Sequence, residues 1–83
     1  PSSIHTDAYR ALIDRMVAAR TKAGLTQQAV ADRLGKPQSY VAKVEGLERR
    51  LDIIEFLTMA CAVGLDPMPA IKSVWREVRA SLE

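Results

Sequence analysis

Four glycines, at positions 24, 35, 46 and 64, divide a chain otherwise rich in helix-compatible residues into five stretches. Each stretch carries the spacing of a helix. Tyr9, Leu12, Ile13, Met16 and Val17 recur at three and four residues, which predicts a first helix with Thr6 or Asp7 as its N-cap. Gly24 would close it in the left-handed conformation, with Leu25 folded back onto the last turn. Thr26 caps a short second helix whose inward positions are Val30, Ala31 and Leu34, bounded by Gly35. Pro37 suits the first position of a third helix, which buries Val41 and Val44 and stops at Gly46. Asp52 with Glu55 three residues later is a capping-box start for a fourth, carrying Ile53, Ile54, Phe56, Leu57, Ala60 and Val63 up to Gly64. Asp66 and Pro67 open a fifth over residues 67–82, along which Met68, Ile71, Trp75, Val78 and Leu82 recur. The expected fold is all-α, with five helices in one domain over residues 1–83.

At 83 residues, such a domain has a core only just sufficient for a monomer, so association is expected. Aromatics are 5% of the chain, so the core must come from aliphatic side chains and Met, which suits packed helices. No apolar run approaches the ~20 residues of a membrane span, and the start lacks the basic and apolar segments of a secretory signal. A cytoplasmic protein is expected. Cys61 is the single cysteine and His5, in a polar N-terminal tail, the single histidine. One of each builds no familiar triad or metal site, so neither an enzyme nor a metal or other cofactor is expected. Cys61, among Thr58, Met59, Ala60 and Ala62, is expected as a small buried hydrophobe. Charge is uneven: residues 1–50 hold nine Lys or Arg against five Asp or Glu, residues 51–83 three against five. A nucleic-acid face would belong to the first part.

Function concentrates in the segment 26–45, whose core reads QQAVADRLGKPQSYVAKV over 27–44. Two short helices crossing steeply need a small residue where they approach, here Ala31, and a turn tolerant of positive φ, here Gly35. Burying Val30, Leu34, Val41 and Val44 leaves Gln38 and Ser39 outward at the start of the third helix, with Tyr40, Ala42 and Lys43 beside them. Gln pairs bidentately with adenine, Ser bonds either kind of base edge, and Lys reaches guanine or phosphate. Gln38, Ser39 and Lys43 are therefore the candidate base contacts, on a helix that fits the major groove of double-stranded DNA.

These residues, with LTQQAVADRLGKPQSYVAKVE and the following ERRLD as the most specific stretches, resemble the Cro and phage-repressor family of XRE-like helix-turn-helix regulators. The likeness runs from about Tyr9 to Leu65. It implies a lambda-repressor-like domain that acts as a transcriptional regulator, with Gln27 bonding a phosphate and bracing the recognition helix. Gln28, Lys36, Tyr40, Arg49 and Arg50 are the further candidates for the DNA backbone. Pro37 stands where many relatives carry a Ser or Thr cap, and Lys36 where the turn is commonly apolar. Glu45, acidic beside this surface, is expected to pair with a nearby Arg or cap a backbone group. An antitoxin, or an adaptor reusing the fold for a protein partner, stays open beside a repressor. The last helix carries more apolar surface than a small core consumes. Ile71, Val74, Trp75 and Val78 are therefore expected at a homodimer interface, the simpler alternative being Trp75 in the core. Two-fold symmetry would place two recognition helices on an inverted repeat.

Overall fold

A computed structural model describes residues 2–83, with side chains from Asp7 onward. Five helices follow one another: α1 (Ser2–Lys22), α2 (Gln27–Leu34), α3 (Gln38–Glu45), α4 (Ile53–Val63) and α5 (Pro67–Leu82). No strand occurs among the described residues. No described helix is long and apolar enough to cross a membrane.

The helix starts follow side-chain chemistry. Thr26 accepts a hydrogen bond from the Ala29 N–H at 3.0 Å, satisfying a donor that the first turn of α2 leaves without a partner. At α4 the box closes both ways: the Glu55 N–H donates to Asp52 at 2.7 Å and the Asp52 N–H donates to Glu55 at 2.9 Å. Asp66 accepts from the Met68 N–H at the start of α5. Pro37 stands one residue earlier than expected: with φ −70° and ψ 154° it is the extended residue before α3, and its side chain makes no cap. α1 begins at Ser2, so Thr6 and Asp7 lie inside it and neither is its N-cap. The side chain of His5 lies outside the described residues, and the backbone there is helical, not an irregular tail.

Two of the turns show how the ends differ. Gly35 has φ +66°, and a Cβ there would meet nothing within 4 Å, so the left-handed backbone alone selects glycine in the turn between α2 and α3. After α3 the left-handed residue is not Gly46, at φ −83°, but Leu47, at φ +65°. The Glu48 N–H closes that turn on the Lys43 carbonyl at 2.8 Å. Leu47 tolerates the strain because its side chain packs on the core. Gly46 answers to space: a Cβ would come within 3.2 Å of the Ala42 carbonyl oxygen.

The core joins Ile13 and Met16 of α1, Val30 and Ala31 of α2, Val41 and Val44 of α3, and Phe56, Met59, Ala60 and Val63 of α4. α5 runs along α1 and adds Ala70. One expectation fails, and so does one alternative. Cys61 is exposed, because α4 is apolar around most of its circumference and turns Phe56, Met59, Ala60 and Val63 inward instead. Trp75 is not a core residue of this chain: it is 58% exposed.

Candidate nucleic-acid interface

The inner corner of the α2–α3 pair is closed completely, with Val30, Ala31, Val41 and Val44 each at 0% exposure. This packing fixes the outer side of α3, where Gln38, Ser39 and Lys43 are exposed and Tyr40 is half-buried. The expected base-contact residues therefore share one accessible helix.

Behind them runs a hydrogen-bonded relay. Arg20, at the end of α1, donates Nε to Glu45 Oε2 at 2.6 Å and an η-nitrogen to Oε1 at 3.0 Å, and its other η-nitrogen to the Leu25 carbonyl at 2.8 Å. The two side chains are 17% and 10% exposed, so the pair is largely out of water. Glu45 Oε1 also accepts from Gln27 Nε2 at 2.9 Å, and Gln27 Oε1 accepts from Gln38 Nε2 at 2.6 Å. The order of these bonds fixes both amides. An ionised carboxylate only accepts, so Gln27 must turn its NH2 to Glu45 and its carbonyl to Gln38. Gln38 then spends one N–H on Gln27 and keeps its carbonyl and second N–H outward. The acceptor expected of Glu45 is thus matched to Arg20, and Gln27 braces the recognition helix directly.

The candidate backbone contacts fall into two groups. Gln28 donates to Asp32 at 2.8 Å along its own helix. Arg49 grips Glu55 with both η-nitrogens, at 3.1 and 2.8 Å, and lies 4.9 Å from the centre of the Tyr40 ring. That hydrogen bond, with the Asp52 backbone N–H behind it, holds the Glu55 carboxyl below its ordinary range. The pair therefore stays charged above the ordinary glutamate value and is lost only as pH falls through the lowered one. Burial, reinforced by the Glu55 charge, pushes the Tyr40 hydroxyl up, so it is a neutral donor at physiological pH. Lys36 lies 5.4 Å from the centre of the same ring. Lys36, Lys43 and Arg50 belong to none of the ion pairs among the described residues. Arg50 stacks on Tyr9 of α1, 4.4 Å from its centre.

Beside the loop between α3 and α4, an open apolar groove of about 370 Å³ is lined by Tyr9, Leu12, Leu51, Ile53 and Phe56 together with Ile71, Val74, Trp75 and Val78 of α5. All four residues expected at an interface thus border one depression. Sequence reasoning missed Arg20 as the root of the relay and Tyr9 as a seat for Arg50. Arg20 is a cation in a last helical turn, which ordinarily needs no explanation beyond the helix dipole.

The helix-turn-helix family model matches residues 17–68. Among solved structures, the chain is similar to an XRE-family like protein from Pseudomonas syringae pv. tomato str. DC3000, at 44% identity and a TM-score of 0.83 over 90% of this chain and 92% of that one. No curated protein matches.

Proposed function

We propose that this chain, which belongs to the XRE-like helix-turn-helix family of DNA-binding regulators, is a repressor that binds an inverted-repeat operator as a homodimer. The observation that carries sequence-specific reading is the relay ending on Gln38. Adenine shows the major groove an acceptor, N7, beside a donor, N6–H. The outward N–H and carbonyl of Gln38 match that pair, and their polarity is set before DNA arrives. Little rotamer freedom is then lost on binding. Ser39 and Lys43 extend the reading along the same helix, while Lys36 and Arg50 supply charge for phosphates, with Gln27, Gln28 and the Tyr40 hydroxyl as neutral backbone donors. Arg49 acts at the backbone through the loop it braces, since its guanidinium is bound to Glu55.

A second copy is the proposed occupant of the α5 groove. Trp75 at 58% exposure beside a depression lined by Ile71, Val74 and Val78 is the kind of aromatic anchor that interface centres favour. A two-fold pair places its recognition helices about 34–36 Å apart, in successive major grooves. The proposed site of action is the nucleoid in the bacterial cytoplasm, whether the regulator is of bacterial or phage origin.

Single substitutions test the assignment of roles. Gln38→Ala should lower affinity for the operator by about 1–3 kcal/mol and leave binding to random DNA nearly unchanged. Lys43→Ala should flatten the dependence of log affinity on log salt by about one unit if its contact is to phosphate, and leave the slope alone if it is to a base edge. Equal loss on operator and random DNA for Gln38→Ala contradicts its role as a base contact.

A further inference from the structure

Arg49 and Arg50 are neighbours in sequence, yet the fold seats them by opposite means. A carboxylate holds Arg49, so two of its donors are taken up by Glu55 and its charge is balanced. An aromatic face holds Arg50: its guanidinium lies over the Tyr9 ring, 4.4 Å from the centre. A stacked guanidinium keeps its charge, and its N–H donors radiate from the edge of the plane, free for a bidentate grip on phosphate. The Tyr9 hydroxyl also accepts a hydrogen bond from the backbone N–H of the next residue, Leu51, at 3.1 Å. One side chain of α1 therefore holds the loop between α3 and α4 at two adjacent points, and that side chain is half-buried against the core.

We propose that Tyr9 is a positioning residue for DNA binding, which aims the Arg50 guanidinium at the DNA backbone while leaving its charge unpaired. This rests on the reading of Arg50 as a phosphate contact. Tyr9 lies outside residues 17–68, the span matched by the family model. It touches no DNA itself and acts through Arg50 and Leu51.

The experiment measures binding to a fluorescent duplex of random sequence over a series of salt concentrations, for wild type, Arg50→Ala, Tyr9→Leu, Tyr9→Phe and the Tyr9→Leu/Arg50→Ala double variant. Leu keeps the apolar wall that Tyr9 gives the α5 groove, and Phe keeps the ring. Arg50→Ala should lower the salt slope by about one unit. Tyr9→Leu should weaken binding about threefold, and adding Arg50→Ala to it should weaken binding less than Arg50→Ala does in wild type. Tyr9→Phe should keep the wild-type slope. Additive effects of the two substitutions, or a Tyr9→Phe protein as impaired as Tyr9→Leu, would overturn the role of Tyr9 alone. An unchanged slope for Arg50→Ala would overturn the phosphate contact first and the proposal with it. If Tyr9→Leu does not fold, proton NMR of the free wild type decides: upfield ring-current shifts of the Arg50 δ protons support the seat, and random-coil shifts overturn it.

Discussion

Glu45→Ala should lower the stability of the fold by about 2–4 kcal/mol, read from the midpoint of urea unfolding. The carboxylate accepts two bonds from Arg20 and one from Gln27. Removing it leaves a guanidinium at 17% exposure with its charge uncompensated, and such breaks in buried pairs cost about 3–5 kcal/mol when burial is complete. Arg20 keeps its bond to the Leu25 carbonyl and some contact with water, which lowers the expected figure. Operator affinity should fall as well, because Gln27 no longer has a carboxylate to orient it and Gln38 loses its fixed amide. The double variant Arg20→Met/Glu45→Leu separates the two effects. An apolar pair of similar volume should restore most of the stability while operator preference stays low. A loss under about 1 kcal/mol for Glu45→Ala would mean that the relay is an ordinary surface pair.

Trp75→Ala should weaken association and operator binding while leaving the stability of the monomer almost unchanged. Truncating an aromatic at the centre of an interface costs about 2–4 kcal/mol of association, or a dimer weakened roughly thirtyfold to a thousandfold. Operator binding should fall steeply with it, since one recognition helix alone reads too few bases. The monomer itself should hardly change in stability, because the indole is already 58% exposed within one chain. Sedimentation of wild type and variant checks this. A wild type that stays monomeric at tens of micromolar, both free and on its operator, contradicts the interface.

The frame was legible in the sequence because punctuation and period agree. Thr26, Asp52 and Asp66 cap the helices they were expected to cap, and of the expected corner Val30, Val41 and Val44 are closed, with Ala31 at the crossing, while Leu34 is half-buried. The start of α1 was not legible, since residues 2–7 are polar apart from Ile4 and one apolar residue makes no stripe to extend. At the end of α3 the sequence marks the stop at Gly46 but not how the turn is made: the close approach of the Ala42 carbonyl shows that Gly46 serves space, while Leu47 is the left-handed residue. In α4, apolar residues surround the helix, and periodicity cannot say which stripe turns inward. Ile54, Leu57 and Cys61 consequently lie exposed.

The candidate surface was legible as residue types but not as partners. Gln38, Ser39 and Lys43 followed from the outer side of one short helix. The different fates of Arg49 and Arg50 depend on Glu55 and Tyr9, six and 41 positions from them in sequence, and no local pattern carries that information. Arg20 likewise meets Glu45 across 25 positions.

Whether α3 reads a specific inverted repeat is decided by sequencing the genomic DNA fragments that the purified protein retains at a stated salt concentration, for wild type and Gln38→Ala in parallel. Wild type should recover a shared motif of two inverted half-sites with centres about 10–10.5 base pairs apart, or a multiple of that spacing, and Gln38→Ala should lose information at one symmetric pair of positions. Fragments with no shared motif, or a motif that Gln38→Ala recovers unchanged, would contradict specific reading by α3.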